Sequence, residues 1–451
     1  MSDVVLNFTL EEFGVRLAKV RAAMEKRELD VLIVHDPSNM AWLTGYDGWS
    51  FYVPQCVVIG HSGEPVWFGR NQDANGARRT VYMSHKNVVG YPDHYVMNPP
   101  LHPMEYLANA VLPEHLWDRG RIGVEKDNYY FSATAYESLQ ENLPNASFVD
   151  ATGLVNWSRA QKSDQELYYM RAAARIVENM HRVAFELIEP GLPKHILVAE
   201  INKHSVIGHD GHFGDYAAIV PLLPSGVDAS APHLTWNDRP FVKGEGTFIE
   251  MAGVHRRYHC PLSRTIYLGD PADHFKRANE ALNEGLEAGL AVARPGNTCG
   301  DIAAALNATM EKFGFDRGGA RCGYPIGLSY PPDWGERTMS LRATDTTVLE
   351  EGMTFHFMPG LWMDDWGMET TESIVITKYG AETCVTSHDN CLSNTREKVT
   401  THHGKITAKL SLSDGRFQRR WHPTWFSETA VFPRRFSVGG HHDADHCDQK
   451  R

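Results

Sequence analysis

The hydrophobic and polar positions of the first 160 residues predict alternating helices and strands. Residues 10–24 repeat apolar side chains at helical spacing, which predicts an amphipathic helix. The continuous apolar run from Val31 to Val34 predicts a buried strand, and residues 56–59 predict a second one. Strand and helix signals continue to alternate up to about Asp150. We therefore expect an N-terminal α/β domain over residues 1–160.

A second pattern starts at residue 161 and predicts a domain over residues 161–385. Ser163 and Glu166 have the spacing of a capping box, in which each residue satisfies a free N–H at a helix start. Thr298 and Asp301 repeat that spacing. Segments 246–253, 262–269, 352–362 and 370–377 predict strands of one sheet. The fold class expected for the chain is therefore mixed α/β, or α+β.

The last part of the chain has a different character. From about residue 386 it collects histidine and arginine residues without a sustained helical or strand period. We expect residues 386–451 to form a divergent tail, either disordered or foreign to the preceding domains.

Composition narrows the function classes. The chain has 451 residues, more than one core usually covers, and a net charge of −12, which disfavours nucleic acid as a partner. Its seven cysteines contain no CxxC pair, so we expect reduced thiols rather than disulfides or a zinc site. No apolar run approaches the roughly 20 residues that span a bilayer, and no secretory signal is visible. We expect a cytoplasmic protein without a membrane partner.

Four segments of the second domain resemble the pita-bread fold shared by methionine aminopeptidase, prolidase and creatinase. They are FIEMAGVHRRYHCPLSRTIYLG at residues 248–269, GYPIG at 323–327, FMPG at 357–360 and TTESIVIT at 370–377. The resemblance implies a curved, mainly antiparallel sheet covered by helices. It also implies five metal-ligand positions, which in this sequence are Glu250, Pro261, Tyr324, Met358 and Glu372. Proline, neutral tyrosine and methionine are poor ligands for hard ions, so we expect neither a metal nor another cofactor.

Longer strings resemble the ectoine hydrolases, metal-free members of this creatinase-like group. Among them are DPSNMAWLTGYDGWSFYV at residues 36–53, AIVPLLPSGVDASAPHLTW at 218–236 and GLSYPPDWGERTMSLR at 327–342. The resemblance implies hydrolytic opening of the cyclic amidine ectoine to N-acetyl-2,4-diaminobutyrate, with hydroxyectoine as a further candidate substrate. It also implies a homodimer, and a deacetylase that consumes the product as a candidate partner.

Ectoine joins a delocalised N–C–N cation to a carboxylate, and the candidate residues follow from that chemistry. Glu250 would attack the central carbon or orient a water for attack, and His233 would move protons. Glu372 would pair with the amidinium nitrogens. A structural alternative for Glu250 is a buried carboxylate held by Arg264.

The substrate-binding candidates are aromatic residues, whose faces attract cations, and one arginine for the substrate carboxylate. They are Trp49, Tyr52, Tyr324, Tyr330, Trp362 and Arg337. Three other functions stay open: a creatine amidinohydrolase, a non-catalytic pita-bread binding module, and a peptidase that retains one metal ion.

Overall fold

The computed structural model describes residues 4–385, which lie within one compact unit ending at Arg396. The predicted tail at residues 386–451 lies outside the described residues. Within the described range, no helix is both long enough and apolar enough to cross a membrane.

A six-stranded mixed sheet organises the N-terminal part, as the apolar runs predict. Its spatial order is β4-β3-β2-β1-β5-β6. Strand β1 pairs antiparallel with β2 and parallel with β5. The strands are β1 Val31–Val34, β2 Cys56–Gly60, β3 Val66–Arg70, β4 Val88–Tyr91, β5 Gly120–Val124 and β6 Ala146–Asp150.

The helices around this sheet begin at capping residues. Thr9 accepts a hydrogen bond from the backbone of Glu12 at the start of the first helix. Asp36 caps the second helix in the same way, and Pro37 occupies its first turn, where no N–H partner is needed. The helices are α1 Leu10–Lys26, α2 Pro37–Thr44, α3 Ala74–Thr80, α4 Pro103–Tyr106, α5 Ala133–Asn142 and α6 Leu154–Ser158.

The second part begins with the predicted capping box. Ser163 and Glu166 exchange both hydrogen bonds at the start of α7 Asp164–Leu187, and Thr298 and Asp301 do so at the start of α10 Cys299–Lys312. Both predictions are confirmed. The other helices here are α8 Lys194–Ile207 and α9 Asp273–Val292, with a 3₁₀ turn at Gly226–Ser230.

The strands of the second part form three sheets rather than the single sheet predicted. A hairpin joins β7 Gly246–His255 to β8 Tyr258–Tyr267. A four-stranded antiparallel sheet has the order β14-β13-β10-β9, and β11 pairs with β12. The strands are β9 Gly323–Pro325, β10 Thr354–Phe357, β11 Gly360–Trp362, β12 Gly367–Glu369, β13 Glu372–Thr377 and β14 Gly380–Thr383.

Proline explains why the predicted strand at residues 352–362 divides. Pro359 lies between β10 and β11 and has no N–H to donate to a strand ladder. A single bridge between Arg264 and Thr370 still links the β7–β8 hairpin to the following strands. The antiparallel layers therefore stack closely enough to bring several strands to one site.

A buried carboxylate holds the N-terminal part against the second part. Glu166 Oε1 accepts hydrogen bonds from the Trp42 indole on α2, at 2.9 Å, and from the Tyr258 phenol on β8, at 2.7 Å. Within the second part, Lys162 forms a buried ion pair of 2.6 Å with Glu336. The Glu166 carboxylate is thus satisfied by one donor from each part of the chain, as burial requires.

Candidate active site

Glu250 lies in the middle of β7, where the backbone is fixed from both sides. It stands directly opposite Ser263 on β8. On the other side, its backbone N–H and C=O exchange hydrogen bonds of 3.0 and 2.9 Å with Leu222. Because cross-strand partners share one face of an antiparallel pair, the Glu250 and Ser263 side chains point the same way. The Glu250 carboxyl group is buried, with a residue exposure of 5%.

The Ser263–Arg264–Thr265 segment of β8 holds the strands that carry the other acidic groups. Thr265 exchanges two hydrogen bonds of 2.9 Å with the backbone of Glu369. Arg264 forms a buried ion pair with Glu372 and also donates to the Thr371 carbonyl. This segment therefore positions residues 369–372 beside Glu250.

Glu250 and Glu369 form a coupled pair of buried carboxyl groups. Burial, followed by the nearby charge of Glu369, raises the pKa of Glu250 well above its usual value. Burial raises the pKa of Glu369 to about 7, although hydrogen bonds from Ser263 and Trp362 favour its ionised form. Two carboxylates close together in a low dielectric cannot both ionise easily. Burial and mutual repulsion therefore make this pair give up its protons at a higher pH than free carboxyl groups do.

A chain of hydrogen bonds runs along the side of this pair. The Trp334 indole donates to the Tyr324 hydroxyl at 2.8 Å, and this hydroxyl is 3.0 Å from His356 Nδ1. His356 Nε2 is 2.8 Å from the Thr371 hydroxyl. The same His356 Nδ1 lies 3.9 Å from Glu250 Oε1. His356 thus connects the phenol on β9 to the carboxylate on β7.

The imidazole of His356 is neutral in this environment. Burial, followed by the positive charges of Arg264 and Arg321, lowers its pKa to about 3. Burial, and next the charge of Glu250, raises the pKa of the Tyr324 phenol. Both groups therefore act as neutral hydrogen-bonding groups over the physiological pH range.

The donor set does not suit the dinuclear metal centre of the pita-bread peptidases. Pro261 has no side-chain donor, Glu372 is held by Arg264, and both ring nitrogens of His356 have partners. Within residues 4–385, no three His, Cys, Asp or Glu side chains are grouped so that they could hold a metal ion. Two carboxyl groups that retain a proton are a weak site for a hard divalent ion.

Comparisons with known proteins identify both parts of the chain. Residues 16–161 match the creatinase/prolidase N-terminal domain, and residues 168–378 match metallopeptidase family M24. The chain is 63% identical over 388 residues to an ectoine hydrolase of Halomonas elongata, covering 85% of this chain and 97% of the relative. The chain belongs to the same family as this ectoine hydrolase.

More distant relatives share the fold. A creatinase of a Bacillus species is 25% identical over 397 residues, covering 83% of this chain and 90% of the relative. A prolidase structure from Thermococcus sibiricus superimposes with a TM-score of 0.73 at 16% identity, covering 85% of this chain and 99% of that one. The expected membership of the creatinase-like M24 hydrolases and the expected fold class are confirmed.

In this M24 family member, the three predicted catalytic residues have different environments. Glu250 is at the centre of the site described above. Glu372 is buried in its ion pair with Arg264, so Arg264 holds Glu372 rather than Glu250. His233 is exposed in the loop after the 3₁₀ turn Gly226–Ser230, a turn that contacts β12 through Ala229. The structure therefore brings Glu250 together with Glu369 and His356, whereas Glu372 pairs with Arg264 and His233 is exposed.

The predicted substrate-binding residues also lie in different environments. Trp362 donates to Glu369 Oε1 at 3.1 Å and thus lines the carboxyl pair. Tyr330 is buried, and its hydroxyl donates to Asp47 at 2.8 Å instead of facing the pair. Trp49 and Tyr52 are mostly exposed, at 59% and 56%.

The predicted carboxylate partner, Arg337, is occupied elsewhere. It forms an ion pair of 3.1 Å with Asp127 of the N-terminal part and stacks 4.8 Å from the centre of the Tyr129 ring. Its guanidinium group thus links the two parts of the chain, and its assignment to the substrate carboxylate stays a prediction.

The sequence reasoning missed His356, Glu369, Thr371 and the bonding role of Trp334. One signal was available: His356 is a polar residue inside the apolar strand TFHF, which predicts a buried hydrogen-bonding role. Glu369 and Thr371 lie two residues apart in the GMETTE segment, where only Glu372 received a role. Strand β12 ends at Glu369 and β13 begins at Glu372, and the sequence shows no sign of this interruption.

Proposed function

We propose that this protein opens the ring of ectoine by hydrolysis, giving N-acetyl-2,4-diaminobutyrate. The observation that carries the proposal is the buried pair formed by Glu250 and Glu369, two acidic groups with raised pKa values in a site with no metal-ligand cluster among residues 4–385. A delocalised amidinium is the kind of cation that such a pair would bind. The high identity to an ectoine hydrolase supports this substrate.

The cation would lie between the acidic pair and aromatic groups. The Trp362 ring adjoins Glu369, and the Tyr324 ring adjoins His356 at a centroid distance of 5.4 Å. Aromatic faces favour a cation most strongly in a pocket from which water is excluded. We therefore assign Trp362 and Tyr324 to the walls around the substrate ring.

Hydrolysis requires a new C–O bond at the carbon between the two nitrogens, followed by cleavage of one C–N bond. Glu250 would deprotonate a water that attacks this carbon, or it would attack the carbon itself; in the second route a water then hydrolyses the covalent intermediate and restores the Glu250 carboxylate. Glu369 would donate the proton that the departing nitrogen takes. This step requires the proton of the pair to lie on Glu369 while Glu250 is ionised, and a pKa of about 7 lets Glu369 both hold and release a proton near neutral pH.

Our proposal gives His356 and Tyr324 a positioning role. The short contacts from Trp334 through Tyr324 to His356 fix the imidazole beside Glu250. His233 would then be a secondary proton carrier at the exposed rim, and Glu372 would support the site through Arg264.

The reaction would proceed without a bound metal, since three of the five expected ligand positions are Pro261, Tyr324 and Met358. Purified protein should contain no stoichiometric transition metal, and prolonged treatment with a chelator should leave the rate unchanged. A stoichiometric metal whose removal abolishes turnover would contradict this part of the proposal.

The test of the activity itself is incubation of the full chain with ectoine and chromatographic detection of N-acetyl-2,4-diaminobutyrate. Wild-type protein should release the product, and E250Q should not, because glutamine can neither attack nor accept a proton. Release of urea from creatine, with ectoine unchanged, would assign the creatinase reaction instead. Turnover of neither compound by well-folded protein would favour a binding module.

We further propose a homodimer, with hydroxyectoine as a second substrate and a product deacetylase as a downstream partner. The exposed aromatic side chains of Trp49 and Tyr52 support a contact between subunits at the loop after α2. Light scattering on the purified protein should give twice the chain mass, and a monomeric mass would contradict it.

A further inference from the structure

The site described above accounts for the cationic half of the proposed substrate but leaves the carboxylate half without a partner. The acidic pair balances the amidinium, so a second, positive group is needed for the carboxylate on the adjoining ring carbon. This inference deepens the proposed function and rests on it. This partner must be a nearby side chain whose guanidinium or ammonium group is not already bound.

Most arginines around the strands are already committed. Arg264 is bound to Glu372 and to backbone carbonyls, and Arg257 pairs with Asp47 at 3.0 Å. Arg317 donates to three backbone carbonyls, those of Gly360, Ala320 and Arg321. Arg337 is held by Asp127, as described above. None of these guanidinium groups can turn to a ligand without losing existing bonds.

Arg321 differs from these arginines in the bonding of its guanidinium group. Its side chain is exposed, and its guanidinium group has no hydrogen bond or ion pair within residues 4–385. Its Cζ lies 4.7 Å from the centre of the Tyr324 ring. The hydroxyl of that ring contacts His356, and Tyr324 pairs with His356 across β9 and β10. Arg321 therefore lies on the Tyr324 ring and remains exposed to solvent.

The electrostatic influence of Arg321 extends into the site. Its charge contributes to lowering the pKa of His356, and it opposes the rise in the pKa of Tyr324. A cation on an aromatic ring, without a carboxylate partner, is oriented by stacking while its N–H groups remain available.

We propose that Arg321 binds the carboxylate of the substrate and thereby selects a zwitterion over a simple cyclic amidine. The proposed binding site is one row formed by Arg321, Tyr324 and the Glu250–Glu369 pair. The guanidinium would hold the carboxylate at the rim, the phenol ring would lie beside the substrate ring, and the acidic pair would hold the amidinium inside. Site and substrate charges would then balance along the row.

The experiment compares ectoine with 2-methyl-1,4,5,6-tetrahydropyrimidine, which has the same amidine ring without the carboxylate. For R321Q we expect kcat/KM for ectoine to fall about 10- to 100-fold, the usual loss for one charge-assisted pair. For the decarboxylated ring it should change less than about threefold, because only the carboxylate contact is lost. R321K should restore part of the discrimination, since lysine supplies the charge but not the two-pronged geometry.

Two matched variants separate this role from general effects. R277Q removes another exposed arginine that stacks on a ring, at 5.8 Å from Phe315, and should leave the preference for ectoine unchanged. R337Q tests the arginine predicted from the sequence and should also leave the preference unchanged. An equal loss for both ring compounds in R321Q, or loss of the preference in R337Q, would overturn the proposal.

Failure of the proposed function would be distinguishable. If wild-type protein turns over neither ring compound, calorimetric titration measures their binding instead. Tighter binding of ectoine than of the decarboxylated ring, lost in R321Q and kept in R277Q, would support the Arg321 proposal without the hydrolase. Equal binding of the two compounds by wild-type protein, or no binding of either, would refute it.

Discussion

The Trp362 indole donates a hydrogen bond of 3.1 Å to Oε1 of Glu369, the residue proposed as the proton donor. This bond favours the ionised form of Glu369 and so limits the rise in its pKa, which is about 7. In W362F the pKa of Glu369 should rise, by about one unit for the loss of a bond to a charged acceptor. Since the donor must be protonated, the alkaline limb of the kcat/KM profile should move to higher pH.

The matched control for this change is W366F. Trp366 packs against Phe275 and Phe315 and makes no contact with Glu369 among the described residues. Its removal should leave the alkaline limb in place. A limb that stays fixed in W362F, or that moves equally in both variants, would show that Glu369 does not set this pH dependence.

Glu369 should also make stability depend on pH. Its pKa in the folded protein, about 7, is above the value of 4.5 for the unfolded chain. The folded state thus binds the extra proton, so this contribution to stability is fully present below pH 4.5 and is lost as pH rises through 7. The loss amounts to about 3 kcal/mol for a shift of this size.

E369Q removes that dependence because glutamine does not titrate. The free energy of unfolding is measured with urea at several pH values. The value for E369Q minus the value for wild type should increase as the pH is raised from acid to alkaline. E382Q replaces an exposed glutamate on β14 and should run parallel to wild type at all pH values. A difference between E369Q and wild type that is independent of pH would contradict the raised pKa.

The sequence predicted the features that depend on residues close together along the chain. The capping boxes at Ser163 and Thr298 appear as expected because a helix start needs only local donors and acceptors. Glu250 was found because its strand is a long, recognisable segment. Local patterns thus predicted the main elements, and the family resemblance pointed to Glu250.

The rest of the site depends on contacts between strands far apart in the sequence. Glu369 meets Thr265 at a separation of 104 residues, and the guanidinium of Arg264 reaches Glu372 across 108. The ion pair of Arg337 with Asp127 likewise joins residues 210 positions apart. Charge pairing of this kind requires the fold, since any of several acidic residues can satisfy one arginine.

A structural role of Glu372 can be tested by changing Glu372 alone and together with its ion-pair partner Arg264. E372Q alone leaves the buried Arg264 without its counter-charge and should destabilise the fold by about 3–5 kcal/mol. The double variant R264M/E372M removes both charges and should recover much of that loss. Urea unfolding measures both effects.

The outcome separates two roles for Glu372. If Glu372 only supports the fold, the folded fraction of E372Q, assayed at low temperature, should keep KM for ectoine near the wild-type value. A large rise in KM with little change in stability would restore the direct contact with the amidinium that the sequence suggested.

The chain from Trp334 through Tyr324 to His356 predicts an energetic coupling. Y324F removes the hydroxyl that accepts from Trp334 and contacts His356, and it leaves two buried groups without partners. Such a change costs about 1–3 kcal/mol for each group left unsatisfied. In a W334F background, one of those groups is already absent, so Y324F should cost less there. The four proteins of this double-mutant cycle give a coupling energy of about 0.5–3 kcal/mol if the contact exists.

The same cycle can be followed through activity, which distinguishes positioning from simple stability. Because the imidazole lies 3.9 Å from Glu250, loosening it should lower kcat more than it raises KM for ectoine. Y267F is the matched control, since its hydroxyl donates to the Gly244 carbonyl at 2.6 Å, apart from the acidic pair. It should cost stability while leaving kcat unchanged. Additive losses in the cycle, or equal losses of kcat in Y267F and Y324F, would mean that the chain from Trp334 does not position His356 for the reaction.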